Sequence, residues 1–399
     1  MRRVFDVVTL VVAPAPEGVQ EPEPVACLMR SCLREREALP IGAAGEGVAA
    51  FQYLAPVRVR TVEMTGRIET LELAETFVIS RESADTAEVV QVEIRHGKVS
   101  GFGEGAPIDR YGESGDSALA YVEDHAGALG EDPFALEHIE EQLEPREWAA
   151  RSAIDAALHD LQGKLVGLPV WRLLGLHREG PPTSWTIWLG DPEDMARRAG
   201  RAADFSMLKL KLGARDGLDV ERVRAVREVT RVPLQVDVNE YWSLDEALEA
   251  LPQLARLGVV YCEQPLPAGD PAGPQLKAAS PIPIYVDEDC HRLSDVAACA
   301  ERAHGINIKL AKSGGIREAM RMAHAARALG LGVMLGCMIE SGLGISAGVQ
   351  ISSLCDYVDL DGNLLLGEDP WPGVDFRDGV QFPSDEPGLG VRQEVPDPR

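Results

Sequence analysis

The sequence lacks paired cysteines at metal-ligand spacing, any long apolar run, and any excess of positive charge. Its seven cysteines (Cys27, Cys32, Cys262, Cys290, Cys299, Cys337 and Cys355) are odd in number and form no Cys-x-x-Cys. They therefore read as reduced, mostly buried thiols of a cytoplasmic protein rather than a zinc site or a disulfide framework. No stretch approaches the roughly 20 apolar residues of a spanning helix, so no membrane span is expected. Lys and Arg number 39 against 64 Asp and Glu, a formal net charge of −25. A bulk field of that sign repels nucleic acid and anionic membrane surfaces, yet it leaves room for a local cationic pocket. Met1-Arg2-Arg3 and the apolar stretch to Ala15 have the outline of a signal peptide, but Asp6 interrupts it, so secretion is not expected.

What is present is enough chain for more than one domain: 399 residues, 45% of them hydrophobic. Residues 1–57 are rich in proline, glycine and alanine without a sustained period, and they read as a poorly ordered extension or as sequence upstream of the true start. Antiparallel strands are predicted over Arg67 to Ile79 and Val89 to Ile94, returning through His96-Gly97-Lys98 to Val99. Helical periods follow at Ser117 to Ala128, Pro133 to Glu140 and Trp148 to Leu165, the last with an Ala153, Ala156, Ala157 and Leu161 stripe. Residues 58–180 thus form a predicted α+β domain. Beyond Pro182, eight short apolar runs alternate with helix-length segments over 181–375, the pattern of a parallel α/β barrel rather than an open sheet.

One run departs from ordinary strand chemistry. In Met207-Leu208-Lys209-Leu210-Lys211-Leu212-Gly213, Lys209 and Lys211 must project to one face while the leucines pack behind them. Two ammonium groups so close call for an anion between them, and like-charge crowding is expected to lower a lysine pKa toward the range of a base. An edge strand guarded by lysines is the other reading of the same pattern. The ends of successive predicted strands then carry Asp237, Glu263 and Asp287, one βα unit apart, followed by Lys309 with Lys312 beyond it. Barrel active sites stand at the C-terminal strand ends, so these groups converge on one mouth. Each acid could instead cap the helix that follows it. Three in register, flanked by lysines, point to a hard divalent cation bound by oxygen alone, Mg²⁺ with Mn²⁺ as a substitute. Lys211 and Lys309 would then approach from opposite sides, one removing and one returning a proton beside a carboxylate, with Lys209 as an additional electrophile.

These residues resemble the enolase superfamily in its muconate-lactonizing-enzyme subgroup. The resemblance is carried by Lys209-Leu210-Lys211, Asp237-Val238-Asn239, Glu263-Gln264-Pro265, Val286-Asp287-Glu288, Ile306-Asn307-Ile308-Lys309 and Gly336 to Gly344, with Gly101 to Gly105 and Leu173-Leu174-Gly175 before them. Tyr357-Val358-Asp359-Leu360-Asp361-Gly362 looks like the Asp-x-Asp signature of the dipeptide epimerases, although Asp-Gly is also a common turn. The resemblance implies a modified (β/α)7β barrel under an α+β cap, with the C-terminal segment 376–399 crossing back to the cap. It also implies Mg²⁺ on Asp237, Glu263 and Asp287, and epimerisation of a dipeptide at its C-terminal α-carbon through an enediolate. In that reading Lys211 and Lys309 are acid and base, Lys209 supports the enediolate, and Asp359 with Asp361 hold the substrate ammonium across the barrel from the lysines. Thr186, Arg81, Met338 and Ile339 are implied substrate contacts, and a homo-oligomer is implied by analogy.

Three positions depart from the pattern. Asp289 stands where a small hydroxyl residue is more usual, Trp188 is bulky enough to shrink the pocket unless it is core, and Glu82 adjoins Arg81. Arg81 favours an acidic substrate side chain and Glu82 a cationic one, so the dipeptide stays open. A cycloisomerase, an N-acylamino acid racemase or an o-succinylbenzoate synthase would use the same lysines and metal without an ammonium site. A non-catalytic metal-binding protein on this fold is the reading from another class.

Overall fold

The computed structural model describes residues 62–393, which belong to one compact unit. The expected extension over 1–57 lies outside the described residues. The chain begins with an antiparallel sheet of β1 (Val62–Val78), β2 (Ser83–His96) and β3 (Val99–Gly105) in that order. The first hairpin is longer than its apolar pattern predicts. Arg67 pairs with Gln91 and Val62 with His96, so the ladder continues through residues of mixed polarity, and an irregularity between Glu72 and Phe77 bends its far end.

Three helices follow: α1 (Gly115–Asp124), α2 (Leu136–Gln142) and α3 (Trp148–Val166). α1 starts two residues earlier than predicted because Ser114 and Ser117 form a reciprocal capping box. α3 lies directly on β3, and the sequence of both explains why. The alternate glycines Gly101, Gly103 and Gly105 face α3 so closely that a Cβ on Gly103 would lie 2.1 Å from the Ala153 carbonyl oxygen. Small residues on both partners let the two backbones touch; Ala149, Ala150, Ala153 and Ala157 are all fully buried.

Eight parallel strands then make the barrel: β4 (Trp185–Ile187), β5 (Leu208–Lys211), β6 (Leu234–Asp237), β7 (Val259–Glu263), β8 (Ile284–Val286), β9 (Gly305–Lys309), β10 (Gly332–Gly336) and β11 (Tyr357–Asp359). Each sits within a residue or two of its predicted run. Seven are followed by helices on the outer face: α4 (Pro192–Arg201), α5 (Asp219–Val229), α6 (Leu244–Arg256), α7 (Gly273–Ala279), α8 (Leu293–Arg302), α9 (Ile316–Ala328) and α10 (Gly342–Val349). The ladder runs in sequence order from β4 to β11. It closes through a bridge between Thr183 and Val358, where Ser184 N–H donates to the Val358 carbonyl at 3.0 Å and Leu360 N–H to Thr183 Oγ1 at 2.8 Å. This is a (β/α)7β barrel.

Apolar side chains between strands and helices form two large buried clusters, while the barrel axis is filled differently. Tyr261, Tyr285 and Tyr357 pack with Met334 into an aromatic floor, ring centroids 4.7 to 5.6 Å apart. The residues two positions further along the same strands stand above that floor at the mouth. At the far end of the chain, Leu389 N–H donates to Asp160 Oδ1 at 2.8 Å and Gly388 N–H to the Leu168 carbonyl at 3.0 Å, bringing the C-terminal segment onto α3.

Candidate active site

Ladder register brings the sequence-predicted residues into one row. Lys211 is level with Asp237 across β5 and β6, and Asp237 with Glu263 across β6 and β7. Asp287 follows β8 and Lys309 ends β9, so the two lysine strands flank the three carboxylate strands. All six groups, Lys209 included, are buried, with Asp237 and Glu263 at 0% exposure. The lysines are therefore not guards on an exposed edge.

Each carboxylate has one oxygen committed to a dedicated donor. Asn239 N–H donates to Asp237 Oδ1 at 3.0 Å, Asn307 Nδ2 to Glu263 Oε1 at 2.7 Å, and Lys312 Nζ to Asp287 Oδ1 at 2.5 Å. The second oxygens face the lysines. Asp237 Oδ2 lies 2.7 Å from Lys211 and 3.1 Å from Lys209, and Asp287 Oδ2 lies 2.8 Å from Lys309. Glu263 Oε2 is 2.8 Å from Lys209 Nζ but accepts no hydrogen bond of proper geometry among the described residues. Burying a carboxylate oxygen without a donor is costly, as at Glu263 Oε2, and with Asp237 Oδ2 and Asp287 Oδ2 on the neighbouring strands it forms an all-oxygen donor set suited to a hard divalent cation. Among the described residues no three acidic or histidine side chains close on one point, because the ammonium groups stand between the carboxylates. The residues fit Mg²⁺ in kind and number.

Electrostatics overturn one expectation. Burial alone would lower Lys209, but Asp359, Glu263 and Asp237 outweigh it and hold the ammonium well above the ordinary lysine value. Burial likewise disfavours charged Lys309, and Asp287 again dominates, raising it. Like-charge crowding does not lower these lysines, since the carboxylates facing them prevail. Asp287 is held well below the usual carboxylate range, Lys309 and Lys312 outweighing its burial. Glu263, which lacks a lysine of its own, is raised by burial and by Asp237.

The turns that carry these groups are strained. Asn239, Glu240 and Gln264 all have left-handed backbones, with φ of 48°, 74° and 37°. Gln264 repays this locally: its Oε1 accepts from Asp287 N–H at 2.8 Å, and its Nε2 donates to Asp289 Oδ2 at 2.8 Å. Asp289 also accepts from Gly269 N–H and pairs with Arg302 at 3.1 Å, so it is committed to the loop and Asp287 alone faces the row.

A cavity of about 490 Å³ opens above the row, between barrel and cap. Lys209, Lys211 and Lys309 line its floor, Thr186, Asp359 and Asp361 one side, Met338 and Ile339 another, and Arg81 and Glu82 the cap side. Asp359 is not across the barrel from the lysines as expected. Closure of β11 onto β4 brings its Oδ2 to 2.8 Å from Lys209 Nζ, while Ser184 Oγ donates to Oδ1 at 2.5 Å. Asp361 accepts from Thr186 N–H at 2.7 Å and is pushed up to about 7 by burial and by Asp359. Arg81 lies 3.0 Å from Glu288 and 3.8 Å from Glu240, so its charge is already shared, whereas Glu82 is exposed and makes no ion pair among the described residues. Trp188 does not shrink the cavity. It is buried between Phe77 and Arg198 and is not among the residues lining the cavity.

Sequence reasoning assigned no role to Asn307, Lys312, Ser184 or Glu288. The first three act on other side chains, and the signal available was their position within three residues of a strand end.

Comparison with known proteins agrees with this geometry. Residues 61–175 match the family described as mandelate racemase / muconate lactonizing enzyme, N-terminal domain, and residues 193–396 match the enolase C-terminal domain-like family. The chain is 38% identical to an L-Ala-D/L-Glu epimerase of Bacteroides thetaiotaomicron over 87% of this chain and 95% of the relative. It is 37% identical to an L-Ala-D/L-amino acid epimerase of Pedosphaera parvula over 81% and 97%. Among solved structures, a dipeptide epimerase from Enterococcus faecalis complexed with Mg and the dipeptide L-Leu-L-Tyr superimposes with a TM-score of 0.80 at 30% identity, covering 83% of this chain and 99% of that one. On sequence, fold and the register of its buried lysines and carboxylates, the chain belongs to the mandelate racemase / muconate lactonizing enzyme family of the enolase superfamily.

Proposed function

We propose that the protein is a Mg²⁺-dependent dipeptide epimerase. The observation that carries this reading is the unbroken row Lys211, Asp237, Glu263, Asp287 and Lys309 over five adjacent strands, with Asp359 and Asp361 at the eighth. Asp237, Glu263 and Asp287 would hold Mg²⁺ through Oδ2, Oε2 and Oδ2, the oxygens that face the lysines. When bound, the cation supplies Lewis-acid stabilisation of the negative charge that the substrate carboxylate gains. Lys211 or Lys309, entering the step as the neutral amine, takes the α-proton: the C–H bond breaks, its electron pair moves toward the carboxylate, and an N–H bond forms at Nζ. The other lysine returns a proton to the opposite face, inverting the carbon. Such proton transfers contribute ~10²–10⁴-fold, so Lys209, buried beside Asp237 and Glu263, is needed to add positive charge where charge develops.

Asp359 and Asp361 receive the substrate's α-ammonium group. Thr186, Met338 and Ile339 line the wall beside it, and Arg81 faces the substrate side chain from the cap. Relatives named L-Ala-D/L-Glu epimerase and L-Ala-D/L-amino acid epimerase, and a structural neighbour holding Mg and a dipeptide, support a dipeptide substrate. The reading includes a cap over 58–180, a barrel over 181–375 and a returning segment over 376–399. It includes a cytoplasmic location, supported by buried free cysteines, and a homo-oligomer, to be measured by light scattering.

The test is incubation with Mg²⁺ and a library of L,L-dipeptides in D₂O. Gain of one deuteron by a few dipeptides, with appearance of their epimers, is the expected result. No exchange while Mg²⁺ binds would sink the dipeptide reading and favour N-acyl amino acids.

A further inference from the structure

Asp219 opens α5, yet its carboxylate makes no capping bond to its own helix. It turns toward the barrel mouth, where both oxygens accept the Gly213 N–H at 3.1 Å. Oδ2 also accepts from Trp242 Nε1 at 2.8 Å, and Oδ1 from Arg222 at 3.2 Å. The side chain is 13% exposed and does not line the cavity. These donors come from different parts of the site. Gly213 lies two residues beyond Lys211, and Trp242 lies in the turn that follows Asp237 and Asn239.

The space around Gly213 is tight. Its φ is +92°, and a Cβ there would meet both Tyr241 Cβ and the Val238 carbonyl oxygen at 2.8 Å. Leu212 N–H donates to the Asp237 carbonyl at 2.8 Å, and Trp242 N–H to the Pro265 carbonyl at 3.0 Å. The turn after β5 is thus pressed against the turn after β6, and one partly buried carboxylate fastens the two together. Since β5 is only four residues long and ends at Lys211, fixing Gly213 fixes the direction from which the Lys211 ammonium reaches the site.

We infer that Asp219 is a positioning residue for Lys211, setting the reach of one of the two acid–base lysines while leaving Lys309 untouched. This rests on the reading of Lys211 and Lys309 as the proton-transfer pair. Lys309 ends β9, four strands away, and shares no hydrogen bond with Asp219. Loosening the Asp219 contact therefore has a one-sided consequence that a general loss of stability does not. A misplacement of about 1 Å costs on the order of 10²-fold in a positioned proton transfer.

The experiment compares wild type, Lys211→Ala, Asp219→Asn and Trp242→Phe with Mg²⁺ in D₂O, starting from each epimer separately. Deuterium uptake and epimerisation are both followed. Asparagine keeps the volume of aspartate but offers one acceptor oxygen; phenylalanine removes one donor without touching Asp219. In Lys211→Ala, the epimer whose α-hydrogen faces Lys309 should still take up deuterium without inverting, and the other should do neither. Asp219→Asn is expected to copy that asymmetry, with a 10- to 100-fold loss confined to steps that use Lys211, and Trp242→Phe to copy it more weakly.

Equal losses for both epimers in Asp219→Asn, or none, would overturn the inference while leaving the two-lysine reading intact. If Asp219→Asn does not fold, Trp242→Phe decides by the same criterion. If Lys211→Ala itself produces no asymmetry, the two-lysine reading fails and this inference with it. Should wild type exchange no dipeptide, the same comparison runs on N-acyl amino acids, where the asymmetry still tests Asp219.

Discussion

Glu263 differs from its two neighbours in having no lysine committed to its second oxygen in hydrogen-bond geometry, and burial with Asp237 raises it. Of the three carboxylates it gains most from a divalent cation. Replacing Glu263 with Gln keeps the shape and the contact to Asn307 but removes the charge. Calorimetric titration should find Mg²⁺ affinity reduced at least 10-fold, about 1.4 kcal/mol, with the apo melting temperature nearly unchanged. Affinity equal to wild type would remove Glu263 from the donor set.

A second prediction at this scale concerns the ammonium site. Asp361→Asn should lower kcat/KM for a free dipeptide about 10- to 100-fold, the worth of one charge-assisted hydrogen bond, and leave an N-acetylated analogue unaffected. Parallel losses for both substrates would contradict the assignment. These residues were legible in the sequence because each is a charged group at the end of an apolar run, where nothing structural needs it. Lys312 and Asn307 were not legible as contributors. Their function lies in contacts to side chains on other strands, which spacing along one chain does not encode. The pairing of Asp359 with Lys209 was hidden for the same reason, since it depends on closure between β11 and β4.

At the scale of elements, the alternating glycines of β3 and the alanines of α3 form a single device. Neither run is unusual alone; together they allow a strand and a helix to pack backbone to backbone. The alanine stripe was readable from its helical period, and the partner was not, because nothing local says which strand a small-residue face meets. Gly103→Ala puts a methyl group 2.1 Å from the Ala153 carbonyl oxygen and 2.5 Å from the Ala157 nitrogen, contacts that only backbone movement can relieve. Overpacking of this kind costs about 3 kcal/mol, which chemical denaturation should register as a shift of the midpoint. The same substitution at Gly127, where a Cβ meets nothing within 4 Å, is the control and should cost far less. Barrel strands were placed to within a residue or two because each is a buried apolar run between turns. The first hairpin was underestimated because β1 is half-exposed and mixes charged with apolar residues along its length.

At the scale of the whole molecule, the cap is fastened to the barrel through the loops that build the site. Glu104 of β3 accepts from Ser341 N–H at 2.7 Å and from Ser341 Oγ at 2.5 Å, just beyond Met338 and Ile339. Arg110 grips Glu240 with two bonds of 3.1 Å, and Arg81 meets Glu288 beside Asp287. A cation bound at the row therefore stabilises the very segments on which the cap rests. Binding to the native state alone adds about 2.7 kcal/mol when free Mg²⁺ stands at 100 times its dissociation constant. With an unfolding entropy of roughly 2.1 cal/mol/K per residue, that corresponds to a rise of about 4 °C for a folded unit of this size. Calorimetry with Mg²⁺ and with chelator should find one transition that moves as a whole. If the cap were held independently of the site, a separate cap transition would stay in place while the barrel transition moved, and the coupling through Glu104, Arg110 and Arg81 would have to be abandoned.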